Sequence, residues 1–147
     1  KVNRSSQSPF VLLEWWRGYC QGVVLLIIGK RYHFESAHKL PLTPDGHKCR
    51  NLHGHNYVVD IEFVGEVNAR GWVWDFGKID DYVTPIILDV DHVYLNDVEG
   101  LENPTAEIIA AWFFNRLFNE LVCNGGPRLK SITIFETPEC WARHEIP

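Results

Sequence analysis

The 147-residue sequence contains no Cys-x-x-Cys pair, no internal repeat and no uninterrupted apolar run long enough to cross a bilayer. Its four cysteines, at positions 20, 49, 123 and 140, are too sparse for a secreted disulfide scaffold, so free thiols in a reducing cytoplasm are expected. Positive charge is also scarce: fourteen Lys plus Arg face nineteen Asp plus Glu, a net −5. A general nucleic-acid binder needs a strongly basic face, and this balance argues against one. It leaves room for a small anionic substrate held by a few local cations. Residues 10–28 are oily, but Glu14, Arg17 and Gln21 interrupt them, whereas a membrane span needs about 20 consecutive apolar residues. No small-x-small cleavage site follows an unbroken apolar segment, so a signal peptide is a poor fit and no membrane partner is expected. Residues 1–24 are read as an N-terminal extension and 25–147 as one domain. There is no GxGxxG fingerprint for a dinucleotide.

What is present is the composition of a globular domain, 46% apolar and 22% charged, which excludes disorder and coiled coil. Residues 23–36 are rich in β-branched and aromatic side chains and predict a strand, irregular at Gly29. Residues 40–52 carry Pro41, Pro44, Asp45 and Gly46 and predict a loop. Over 53–66, Tyr57, Val59, Ile61 and Phe63 alternate with Asp60 and Glu62, which predicts a second strand and a first hairpin. Asp75 is placed to cap a helix from Phe76, with Ile79, Val83, Ile86 and Ile87 inward and Pro85 kinking it or ending it early. A second helix is predicted over 103–122, with Asn103 as N-cap and Pro104 as its first residue. Residues 129–136 and 141–146 predict two further strands, which gives an α+β layout with an antiparallel sheet.

Chemistry concentrates among seven histidines. His53 and His55 stand at i and i+2, so an extended chain points both to one face, and His38 ends the preceding strand. Three imidazoles converging from a hairpin suit zinc with an open fourth position. Gly54 between them permits close backbone approach, whereas His33 has the opposite parity and His47 lies in the loop. Cys49 has three readings: a fourth ligand in a closed structural site, an acid/base beside a catalytic metal, or an unreactive thiol. Asp91-His92 is a candidate proton relay, but adjacent residues in a regular strand point apart, so the pair needs a turn. Glu136 ends the apolar row of Ile132 and Ile134, and a carboxylate there calls for a partner such as two adjacent N–H donors on a pterin or guanine edge. Thr105 and Glu107 either add contacts to the same ligand or favour the helix start. Lys39, Lys48 and Arg50, opposed only by Asp45, leave a local +2 that suits a phosphorylated substrate.

Five ordered motifs carry a resemblance: Phe34-Glu-Ser-Ala-His38, Cys49-Arg-Asn-Leu-His53-Gly-His55-Asn-Tyr57, Asp91-His92-Val-Tyr-Leu95-Asn96, Asn103-Pro-Thr105-Ala-Glu107 and Phe135-Glu136-Thr137. Over residues 27–146 the sequence resembles the 6-pyruvoyl-tetrahydropterin synthase superfamily, and within it the 6-carboxytetrahydropterin synthase branch of queuosine biosynthesis. The branch rests on the three residues between Cys49 and His53, since the pyruvoyl-forming relatives space this cysteine further away. The resemblance implies a tunnelling fold, a four-stranded antiparallel sheet with two helices between strands 2 and 3. It implies sheets joined into a barrel in a homohexamer, a dimer of trimers, with active sites between subunits. It further implies zinc on His38, His53 and His55, Cys49 as general base with Asp91 and His92, and Glu136 anchoring a pterin with Thr105 and Glu107. The implied reaction converts 7,8-dihydroneopterin triphosphate to 6-carboxy-5,6,7,8-tetrahydropterin, acetaldehyde and triphosphate. A pyruvoyl-tetrahydropterin synthase or side-chain aldolase on the same site is the alternative. Outside enzymes, a zinc-stabilised binding module with Cys49 as fourth ligand is a further one.

Overall fold

The computed structural model describes residues 24–146, so all but the last residue of the proposed 1–24 extension lies outside the described residues. Four strands, β1 (Leu25–His38), β2 (His53–Glu66), β3 (Arg128–Phe135) and β4 (Trp141–Glu145), form one antiparallel sheet in the order β1-β2-β3-β4. Two helices, α1 (Phe76–Leu88) and α2 (Ala106–Asn124), lie between β2 and β3 in sequence.

The alternation in β2 sets one face of the sheet. Tyr57, Val59, Ile61 and Phe63 have no exposed surface, and they meet Phe34 from β1 and Ile132 and Ile134 from β3. Ile79, Val83 and Ile86 of α1 and Ile109, Phe113 and Leu117 of α2 close this core. Burial of such side chains stabilises a fold by about 1.5–3 kcal/mol each, so the layer is held without help from any ligand. Phe34 stacks on Tyr57 with ring centroids 4.7 Å apart, which fixes the end of the hairpin nearest the histidines. A second tie runs from sheet to helix, where Lys30 and the Tyr32 hydroxyl both donate to Asp80 of α1, at 2.7 and 2.9 Å.

The other face of the sheet is polar. Arg31 meets Asp60 through two hydrogen bonds of 2.6 and 2.7 Å, and Glu62 accepts from Ser131 and Arg143 at 2.6 and 2.8 Å.

Three local expectations change. β1 passes through Gly29 in regular register, opposite Glu62, and the one irregularity of the sheet falls instead at Glu62/Phe63 against β3. Pro85 sits inside α1, which continues to Leu88. The Asp81 carbonyl that loses its donor to this proline belongs to an exposed residue, on the solvent side of the helix. The cap of α2 is Thr105, whose hydroxyl accepts from the Ile108 amide, rather than Asn103. Asn103 is used elsewhere, its side-chain oxygen accepting from the Leu42 amide at 3.2 Å. Asp75 caps α1 as its position predicts, accepting from the Gly77 amide.

Candidate metal centre and active site

β1 and β2 pair through to their last residues, so His38 lies directly opposite His53. His55 follows two residues on and points to the same face. The parity argument therefore holds in three dimensions: one ligand atom from each of His38, His53 and His55 lies within 4.8 Å of the others. Gly54 makes this approach possible, because a Cβ there would stand 3.0 Å from the Ser36 carbonyl oxygen. His33, of opposite parity, is exposed on the other face.

Hydrogen bonds fix which nitrogen each ring presents. His38 Nδ1 is 2.9 Å from the Pro104 carbonyl and His53 Nδ1 is 2.8 Å from the Asn51 carbonyl. A carbonyl only accepts, so both Nδ1 atoms carry the proton and both Nε2 atoms present lone pairs. Those two Nε2 atoms are 3.1 Å apart. Facing lone pairs at that distance repel unless a proton or a cation lies between them. Burial, His38 being only 1% exposed, drives its imidazole down to about 4, with a smaller opposing effect from the Pro104 carbonyl. Protonation is thus the costlier remedy, and the donor set fits a metal ion that favours three imidazoles, zinc first among them. The run Asn103-Pro104-Thr105 thus ties down a loop, a candidate ligand and a helix start in three consecutive residues.

The thiol of Cys49 lies outside this group of potential ligands. It sits in a short 3₁₀ turn, Lys48–Arg50, whose first amide-capping acceptor is His47, Nδ1 accepting from the Cys49 amide at 3.2 Å. His47, left without a role by sequence reasoning, therefore shapes the turn that carries the cysteine. Among the described residues no hydrogen bond joins Cys49 to Asp91 or His92.

Asp91 and His92 do come together. His92 adopts φ 58°, an uncommon left-handed conformation for a histidine, and this turns its ring back so that Nδ1 lies 2.9 Å from Asp91 Oδ1. The turn that the adjacent pair requires is therefore present. The same Asp91 oxygen accepts the Glu35 amide at 2.9 Å, and this bond first, with His92 second, holds its carboxyl below the usual range.

Two clefts flank His55 and share Gly54, His55 and Asn56 in their walls. One, of about 730 Å³, runs to Arg31, Phe135 and Glu136. The other, of about 460 Å³, runs to Glu35, His92 and Tyr94. Glu136 is half-buried just past β3, and its charge, after burial itself, pushes the Tyr57 hydroxyl well above its ordinary value. The Tyr57 oxygen lies 3.3 Å from His38 Nδ1, so a buried tyrosine links the Glu136 side to the histidines. Sequence reasoning missed Tyr57 in this part, because its parity already accounted for it as core. Thr105 and Glu107 line neither cleft of their own chain, and Glu107 is exposed in the first turn of α2. Lys39 and Lys48 are exposed without a carboxylate partner among the described residues, whereas Arg50 pairs with Asp45 at 3.1 Å.

An antiparallel four-stranded sheet backed by two helices, with three histidines at the end of its first hairpin, defines an α+β metal-site architecture of the tunnelling-fold type. The family model described as 6-pyruvoyl tetrahydropterin synthase matches residues 27–146, and the chain belongs to that family. A Synechocystis protein named 6-carboxy-5,6,7,8-tetrahydropterin synthase is 40% identical over 127 residues, covering 82% of this chain and 94% of that protein. A Pyrococcus furiosus dihydroneopterin monophosphate aldolase is 31% identical over 109 residues, 74% of this chain and 88% of the relative. The solved structure of Caenorhabditis elegans 6-pyruvoyl tetrahydropterin synthase superposes with a TM-score of 0.76 at 28% identity, covering 85% of this chain and 98% of that one. No helix among the described residues is long and apolar enough to cross a membrane.

Proposed function

We propose that this chain is a zinc-dependent 6-carboxytetrahydropterin synthase. It would convert 7,8-dihydroneopterin triphosphate to 6-carboxy-5,6,7,8-tetrahydropterin, releasing acetaldehyde and triphosphate, in the cytoplasmic route to queuosine. The observation that carries the reading is the placement of His55 in a three-histidine centre between two clefts, with Glu136 on one side and Asp91-His92 on the other. The three-residue spacing from Cys49 to His53 and the 40% identity to the Synechocystis enzyme support the carboxy-forming branch.

Zinc on His38, His53 and His55 would supply Lewis acidity to the side-chain oxygens of the substrate. The chain's own groups do the rest. Glu136 accepts two adjacent N–H donors of the pterin ring and fixes its orientation. Cys49 removes a proton from the side chain, and His92, aligned by Asp91, returns one. Lys39 and Lys48 draw in the triphosphate. Thr105 and Glu107 would serve the site of a neighbouring subunit, which fits a homohexamer built as a dimer of trimers with its sheets joined into a barrel.

The aldolase and pyruvoyl-forming relatives keep one second reading open, a sister reaction on the same site. Product analysis separates them. Incubation of the zinc-loaded protein with dihydroneopterin triphosphate should give acetaldehyde and a carboxylated tetrahydropterin. A product retaining the three-carbon side chain would move the chain to the pyruvoyl-forming activity.

A further inference from the structure

The machinery so far assigns one carboxylate to His92, but its ring is flanked by two. Glu35 lies on β1 with its side chain on the face opposite Phe34 and Ser36, so core packing does not explain it. Its Oε2 stands 3.8 Å from His92 Nε2, while Asp91 Oδ1 stands 2.9 Å from Nδ1. The backbone of Glu35 grips the same segment twice more. Its amide donates to Asp91 Oδ1 at 2.9 Å, and its carbonyl accepts the His92 amide at 2.6 Å. Next along the strand, the Ala37 amide donates to the Val93 carbonyl at 3.1 Å, and Ala37 bridges to Tyr94. The free edge of β1 is therefore the template that holds 91–94.

That template has a cost to offset. A histidine at φ 58° is strained, and such a residue persists only where its surroundings fix it. Asp91 restrains the Nδ1 side, yet the His92 side chain is 72% exposed and lines an open cleft. Glu35 and His92 line that cleft together with His55, and with Nδ1 taken by Asp91 it is Nε2 that is left for a substrate near the histidine centre.

We infer that Glu35 is a positioning residue: its carboxylate, 3.8 Å from Nε2, biases the His92 ring toward the orientation in which it lines the cleft beside His55. This rests on the assignment of His92 to proton transfer in the proposed reaction. Glu35 does not hydrogen-bond the ring at 3.8 Å, so it acts by charge on the protonated ring, the form that returns a proton, and leaves Nε2 open to substrate.

The test compares Glu35→Gln and Glu35→Ala with the parent protein, each zinc-loaded. An exposed pair of this kind is weak, so kcat should fall only about two- to fivefold, with KM and metal content unchanged. The deciding readout is the set of imidazole resonances in proton–carbon correlation spectra without substrate. Those of His92 should shift and broaden in both variants as the ring samples other orientations, while those of His38, His53 and His55 stay in place. Glu35→Asp, which keeps charge at a greater distance, should lie between. Unchanged His92 resonances in Glu35→Gln would overturn the inference, whatever happens to turnover. If the parent itself makes no carboxylated pterin, the proposed reaction fails, and the resonances still decide whether Glu35 holds His92.

Discussion

His38 is the residue on which most of the local chemistry converges, since it is buried, donates to Pro104 and presents Nε2 toward His53. Its ordinary value is 6.5 and its value in the fold is about 4. Between those limits the unfolded chain binds a proton that the metal-free folded chain does not. Stability is therefore full above pH 6.5 and is lost as pH falls toward 4. Urea unfolding of chelator-treated protein should show the midpoint falling across this window. His38→Gln should flatten the slope there, and an unchanged slope would mean that His38 does not titrate in this way. The carboxyls of Asp80 and Asp91 are held low, so their contribution lies at more acidic pH and does not obscure the window. The clustering of the three histidines was legible in the sequence, because strand parity places His53 and His55 together and His38 ends the strand before them. The second partner of His92 was not. Glu35 sits on the solvent side of its strand, and only the pairing of β1 with 91–94 brings it to the ring.

Among the elements, the β1–β2 hairpin carries the site, and Gly54 is its narrowest point. A side chain at Gly54 would press on the Ser36 carbonyl, and overpacking of this kind costs about 1–3 kcal/mol. Gly54→Val should lower the melting temperature and weaken zinc binding in a chelator competition, because the flanking His53 and His55 move apart. Retention of both properties would show that the hairpin yields without disturbing the site. The bounds of β2 were readable to the residue, since four alternating apolar side chains leave one register that buries them all. The start of α2 was not. Asn103, Pro104 and Thr105 all favour a helix N-terminus, and the choice among them is made by Leu42 and His38, which are distant in sequence. Pro85 likewise reads as a breaker, and its tolerance depends on facing water, which sequence alone does not reveal.

For the molecule as a whole, the sheet has two outer strands, β1 and β4, and β1 is long and apolar at its start. Leu25, Leu26 and Ile27 are each about half exposed there. Such an edge invites pairing with another chain. The proposed hexamer would cover it, so sedimentation should give that species, and a monomer at micromolar concentration would contradict the shared-site reading of Thr105 and Glu107. The core between sheet and helices is built from apolar side chains, and of the three histidines only His38 is buried, against Tyr57 at its edge. Chelation should accordingly abolish turnover while the far-ultraviolet circular dichroism stays that of the folded protein. Collapse of secondary structure on chelation would instead favour a domain that zinc stabilises.

Whether the metal centre is open and the thiol a separate base is tested by Cys49→Ala, with zinc content and acetaldehyde release measured on the same preparation. Zinc content should equal the parent's and turnover should be lower by about 10²–10⁴-fold, the usual worth of a general base. Loss of zinc from Cys49→Ala would make the cysteine a fourth ligand and contradict the account.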